Sequence, residues 1–200
     1  MAYQYSALDI KRSEIRLLVL NPGSRSNAIQ CQLRTCSLVD SIIEYEALSY
    51  TWGTPCPRHH ITIDSYSMSV NPALHIALSH LRYSTEPRIL WVDAVCINQE
   101  DLKEREEQVT QMRLVYSCAR RVLAWLGEEY ESSDAAMSLL ENIDMVDLKK
   151  LQDNNGGGAS PSRVDWDALF ALLRRPWWSR VWIIQEVTVG ESEPLVGCGN

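Results

Sequence analysis

The chain of 200 residues carries a formal charge of −7 and a pI near 5.1, which excludes nucleic-acid binding through phosphate neutralisation. Its 46% hydrophobic and 22% charged content is that of an ordinary soluble globular chain, long enough to bury the core of one α/β domain. No uncharged apolar run is long enough to cross a bilayer, and MAYQYSALDIKRSEIR lacks the apolar core of a signal peptide.

In chain order, IRLLVLNPGS (15–24) reads as a strand ending in an Asn-Pro-Gly turn, with IQCQLRTCSL (29–38) as its hairpin partner. YEALSYTWG (45–53) is a further strand closed by Gly53 and a proline-rich loop. HITIDSYSMSV (60–70) predicts a small hairpin, and Leu74, Ala77, Leu78 and Leu81 share one face of a helix over 72–82. RILWVDAVCINQ (88–99) is almost continuously apolar, as expected of a strand covered on both faces.

Asp101 is placed to cap a helix over 101–118, with Glu104 where a capping box puts its carboxylate. Leu102, Val109, Met112 and Tyr116 form the stripe of that helix, and RRVLAWLG (120–127) completes a βαβ unit. Residues 134–148 predict an amphipathic helix and 153–163 a flexible break. VDWDALFALLRR (164–175) is helical until Pro176, which opens a new helix over 176–189, and EPLVGCGN begins a last strand.

Six cysteines, at 31, 36, 56, 96, 118 and 198, include no CxxC pair and read as reduced thiols of a cytoplasmic protein. Cys56 with His59 and His60 falls in the turn-like TPCPRHH; a structural metal site needs four ligands at known spacings, so no metal is expected.

In an open parallel sheet, ligands bind beyond the carboxyl ends of the strands. Three candidates lie at that rim: the Ser49–Gly53 strand end with Tyr50, Trp52 and Gly53; Asp93 with Asn98 and Gln99; and Glu186. Each has a structural alternative. Trp52 could plug the core, Asn98 and Gln99 could cap the next helix, and Asp93 could pair with Arg105 or Arg180. In the apolar run RPWWSRVWIIQEV (175–187), Glu186 is either an ion pair with an arginine such as Arg180 or a carboxylate at a cleft floor walled by tryptophan. With Trp178 and Trp182 it is expected to share one helical face.

Three blocks, YEALSYTWG, LWVDAVCINQEDLKEREEQV with QMRLVYSCARRVLAWLG, and RPWWSRVWIIQEV, resemble the signature blocks of the fungal heterokaryon-incompatibility (HET) domain. The likeness runs in order from about residue 15 to the end and treats 1–200 as a single domain. It departs at Val95 and in the Asp64-Ser65-Tyr66 turn, which lacks the expected glycine. The resemblance implies a cytoplasmic cell-death effector of incompatibility or innate immunity, either standing alone or as a piece of a longer chain. It also implies self-association on activation and an NLR-type receptor or another incompatibility protein as partner.

HET domains are held to be distant relatives of TIR domains. SRVWIIQEV is similar to the TIR helix pattern, with Ser179, Trp182 and Glu186 in its serine, tryptophan and glutamate places, Ile183 where that pattern has cysteine, and an extra segment at 128–175. The fold implied is a TIR-like, flavodoxin-like α/β architecture, a mostly parallel sheet flanked by helices, with an N-terminal β-hairpin elaboration and a helical insertion. The activity implied is cleavage of the nicotinamide–ribose bond of NAD⁺. NAD⁺ is then substrate, no cofactor is required, and Glu186 is the catalytic carboxylate. Trp52 or Trp182 would stack on a ring, Tyr50, Gly53, Asp93, Asn98 and Gln99 would line the rim, and Arg105 or Arg180 would meet the pyrophosphate. The rival expectation is a non-catalytic module that acts by self-association.

Overall fold

The computed structural model describes residues 3–40, 43–54, 56, 58–142, 163–190 and 192–199. The first two predicted strands, β1 (Glu14–Leu20) and β2 (Gln30–Ser37), pair antiparallel with Leu18 opposite Leu33. β3 (Glu46–Tyr50) ends at Gly53, whose φ of +67° lets the chain turn off the sheet. β4 (His59–Ile63) and β5 (Tyr66–Val70) form the small hairpin. Its two turn residues, Asp64 and Ser65, both take positive φ, at 48° and 72°. That is the geometry a two-residue hairpin turn demands, and Asp64 meets it without glycine while accepting a hydrogen bond from the Leu33 amide at 3.2 Å.

Helix α1 (Pro72–Leu81) has proline in its first turn and Asn71 as cap, accepting from the Leu74 amide at 2.8 Å. β6 (Arg88–Trp91) stops well before Gln99, contrary to the strand expected over 88–99. At Asp93 the chain turns into the one-turn helix α2 (Asp93–Cys96). Val95, Cys96 and Ile97 are buried either way, and an apolar run this short does not distinguish a buried strand from a buried turn.

α3 (Leu102–Cys118) starts at Asp101, which accepts from the amides of Lys103 and Glu104. Its buried face is the expected stripe only in its second half. Met112 and Tyr116 are buried with Val115, but Leu102 and Val109 are exposed, and Glu104 and Gln108 are buried in their stead. The face turned inward is partly polar because it meets polar partners: Gln108 donates to the Glu14 carbonyl at 2.9 Å, and Glu104 meets Arg16. Glu104 therefore does not close a capping box.

β7 (Arg121–Trp125), α4 (Ser133–Asn142), α5 (Arg163–Leu173), a 3-10 turn at Pro176–Ser179, α6 (Ile183–Thr188) and β8 (Leu195–Gly197) complete the described elements. Residues 143–148 of the predicted helix, and 153–162 of the predicted break, lie outside the described residues. The single helix expected over 176–189 is broken. Arg180 is extended, with φ −72° and ψ 135°, so the chain turns once, straightens and begins again.

Among the described residues the strands form one eight-stranded sheet in the order β5-β4-β2-β1-β6-β3-β7-β8. Four of its seven pairings are parallel and three antiparallel, so the sheet is mixed. The hairpins are not appended to a parallel core; they extend the same sheet through β1 against β6. In chain order the parallel strands β3, β6, β7 and β8 lie 2-1-3-4, so the winding reverses at β3. Right-handed crossovers then put α1 on one face and α3 with α6 on the other, and α3 and α6 do pack together. Beneath them Trp91 is fully buried edge-to-face on Tyr116, with ring centroids 5.5 Å apart.

Arg16, the lone cation of apolar β1, is 1% exposed. It forks onto Glu104 at 2.6 and 2.9 Å, donates to the Cys96 carbonyl at 3.0 Å and to the Ser6 carbonyl, and lies under the Tyr5 ring at 4.7 Å. Glu104 also accepts from the Asn98 amide at 2.7 Å. One guanidinium thus joins the N-terminal segment, β1, the end of α2 and the start of α3. Glu104→Gln leaves that guanidinium buried and unpaired, and we expect a loss of about 3–5 kcal/mol in urea denaturation. Arg12, exposed beside Asp40, is the control, since its variant Arg12→Ala is expected to leave the urea midpoint nearly unchanged.

Candidate functional site

The carboxyl ends of β3 and β6 carry two polar assemblies. The first grows from Ser49 and Glu186. Glu186 is 1% exposed and sits in the first turn of α6, which packs on α3 and β7. Because the chain straightens at Arg180, that guanidinium folds back onto the carboxylate in a two-pronged pair, Nη2 to Oε1 at 2.7 Å and Nη1 to Oε2 at 2.9 Å. The Ser49 hydroxyl donates to Oε2 and accepts from Arg180 at 3.0 Å and from the Trp177 indole N–H at 2.9 Å. Ser49 and Trp177 are buried, and only Arg180 reaches solvent, at 19%. Both oxygens of this deep carboxylate are met, which offsets the cost of burying it.

The expected helical face of Trp178, Trp182 and Glu186 does not form, for the same reason. Trp178 belongs to the 3-10 turn, and Trp182, at the start of α6, is half exposed while Glu186 is buried.

The second assembly is an open cleft of about 880 Å³. Four of the predicted rim residues line it: Trp52, Gly53, Asn98 and Gln99. The N-terminal Tyr3 and Tyr5, Arg58 and strand β5 complete much of the wall. Asn98 accepts from the Glu100 amide at 3.2 Å, a turn leading into α3, and Gln99 donates to the Asp93 carbonyl at 2.9 Å.

Asp93 joins the two assemblies. Its Oδ2 accepts from the Trp52 indole at 3.0 Å and its Oδ1 from the Ala94 amide at 2.7 Å. Among the described residues no arginine forms an ion pair with it, so the alternative of a pair with Arg105 or Arg180 is not realised. Desolvation pushes its carboxyl up to about 6, with nearby Glu186 adding to the rise, against the two hydrogen bonds and Arg180. Tyr50 is buried on the neighbouring position of β3, and desolvation, then Asp93, raises its phenol. Tyr116 is raised by burial and then by Glu186. Arg105 is exposed on α3 and Trp182 lies on α6; neither lines the cleft, and nor do Arg180 and Glu186.

Sequence reasoning passed over Arg16, Trp177 and Arg58, and gave Glu104 only a capping role. A signal existed for Arg16, a single cation inside EIRLLVL, since a charge in an apolar strand calls for a buried partner. None existed for Arg58, whose place in the cleft depends on how the β3–β4 loop folds. Among the described residues no group of three or more His, Cys, Asp or Glu side chains could hold a metal ion, and no helix is long and apolar enough to cross a membrane.

The description "Heterokaryon incompatibility protein (HET)" belongs to the family model that matches residues 45–186, a stretch that contains Ser49, Trp52, Asp93, Arg180 and Glu186. The chain therefore belongs to the heterokaryon incompatibility protein family. It is similar to heterokaryon incompatibility protein 6, OR allele, of Neurospora crassa, at 28% identity over 99% of this chain and 35% of the relative. The chain spans about a third of that relative's length. No solved structure matches it.

Asp93 generates a pH prediction. Its folded pKa lies above the unfolded value of 3.8, so the folded state holds the proton more tightly. That contribution is complete below about pH 4 and is lost as pH rises through about 6. Melting temperatures of wild type and Asp93→Asn, compared between pH 4 and 7, should move in the variant's favour as pH rises. A pH-independent difference would mean that Asp93 does not titrate in this window.

Proposed function

We propose that this chain is a cytoplasmic cell-death effector domain of fungal heterokaryon incompatibility, acting when incompatible individuals fuse, and that it cleaves the nicotinamide–ribose bond of NAD⁺. Family membership and the name of the Neurospora relative support the first half. The observation that carries the second is the position of Glu186. It lies beside Ser49 where the sheet's winding reverses, with Asp93 in its field. The 2-1-3-4 order of the parallel strands is also that of flavodoxin-like sheets, which bind ligands at this reversal.

The chemistry asks little of the protein. Nicotinamide leaves as a neutral base from a cationic ring, so no general acid is needed, and the transition state gathers positive charge on the ribose. One carboxylate near that carbon stabilises it, and water then adds to the carbon and loses a proton to solvent, giving ADP-ribose and nicotinamide. In the resting geometry Arg180 neutralises Glu186. Catalysis requires Arg180 to turn outward along its solvent-facing side, leaving the carboxylate on Ser49 and facing substrate. Activation by self-association is a natural trigger for such a move.

Nicotinamide release from NAD⁺ at high protein concentration tests this. Glu186→Gln alone leaves Arg180 without its partner and is expected to melt lower, so the informative variant is Arg180→Gln/Glu186→Gln, which removes both charges and leaves neither uncompensated. Release by wild type and none by the folded double variant is the expected result. Equal release by both would remove Glu186 from the chemistry.

A second reading is favoured by one feature, the apolar surface of the same segment. Val181 and Ile184 are 87% and 70% exposed, beside half-exposed Trp178 and Trp182. On this reading the domain is non-catalytic and acts by self-association and recruitment of an NLR-type receptor or other partner. Val181→Asp/Ile184→Asp should then lower the sedimentation coefficient at high concentration without lowering the melting temperature. Unchanged sedimentation would count against it.

A further inference from the structure

We propose that the cleft beside Trp52 is a binding site for an adenine nucleotide, with the adenine stacked on the Trp52 indole and the phosphate at Arg58. This goes beyond the reading above and does not depend on it, since a non-catalytic module can carry the site equally well.

Trp52 is the anchor. A half-exposed indole normally swings, but this one is tethered by its N–H to Asp93 at 3.0 Å, so the ring is held as a fixed platform in the cleft wall. Fixing an aromatic surface before a ligand arrives removes part of the ordering cost of stacking. The cleft, at about 880 Å³, lies within the range of small-molecule sites and has room for a mononucleotide.

Two adjacent amides supply the edge. Asn98 spends its Oδ1 on the Glu100 amide, which leaves its NH₂ as a donor; Gln99 spends its NH₂ on the Asp93 carbonyl, which leaves its Oε1 as an acceptor. Both side chains line the cleft. One donor with one acceptor is the complement of adenine, which offers a ring nitrogen acceptor next to an amino donor. Their roles are set by the backbone bonds that each already makes.

Charge selects the other end of the ligand. Arg58 is the arginine of the lining, exposed and without an ion-pair partner among the described residues, while the chain as a whole is acidic. A phosphate therefore has one place to go, and a guanidinium is suited to it. Glu100 is the carboxylate of the lining, and it disfavours a ligand that spreads negative charge over the whole cleft.

The test is equilibrium binding of AMP, adenosine and ribose 5-phosphate to the full chain by calorimetry, with melting curves for every variant. AMP is expected to bind, adenosine more weakly, and ribose 5-phosphate not at all. Trp52→Ala should weaken AMP by about tenfold or more, the scale of a lost base–aromatic stack. Trp52→Phe, which keeps a ring, should retain most of the affinity and covers the case in which the alanine variant fails to fold. Arg58→Ala should weaken AMP and leave adenosine unchanged. The proposal is overturned if AMP does not bind at millimolar concentration. It is equally overturned if a folded Trp52→Ala binds AMP like wild type, or if ribose 5-phosphate competes with AMP.

Discussion

The carboxyl end of the sheet is organised around one buried carboxylate whose oxygens must be met. Glu186 is enclosed by α3, α6 and β7, and a charge so placed costs several kcal/mol unless its oxygens are met. Arg180 and Ser49 meet them. That requirement shapes the backbone: the tryptophan-rich segment cannot run as one helix, because Arg180 must leave it to face back towards Glu186. The break sends Val181 and Ile184 outward and fastens Trp177 to Ser49. The apolar surface and the buried pair are thus two results of one constraint.

A second arginine–glutamate pair does similar service behind the Asn98–Gln99 loop. Arg16 gathers the Ser6 and Cys96 carbonyls and Glu104, and Glu104 holds the Asn98 amide. Removing either charge leaves the other stranded, so the loop carrying Asn98 and Gln99 is secured by an interaction that has no cheap partial loss. Asp93 is tied to Trp52, and desolvation, against that bond, makes it hold its proton more tightly than usual. Trp52 in the cleft wall is therefore tied to a carboxylate whose charge depends on a proton.

Family membership and mechanism rest on different footings. Membership follows from long blocks of mixed residue types, which residues 45–186 satisfy together. The proposed chemistry turns on one side chain, Glu186, which is buried against Arg180; that reading would require Arg180 to be compensated elsewhere, or a substrate whose own positive charge replaces it.

The sequence by itself determined most elements. Period-two strands, the Asn71-Pro72 and Asp101 helix starts and the stop at Pro176 are local matters of torsion and hydrogen bonding, legible within a few residues. It also marked the rim, since Trp52, Gly53, Asn98 and Gln99 do line one cleft. It did not determine where β6 ends, because Trp91 and Val95 are buried alike as strand or turn. Nor did it determine which face of α3 goes inward, because the polar partner that buries Glu104 is Arg16, far away in the chain. Only the tertiary structure decided that Glu186 would be paired, that Asp93 would not, and that Arg58 would stand in the cleft. Those outcomes depend on the distance between charges that the chain brings together from separate segments, and no local pattern encodes such a distance.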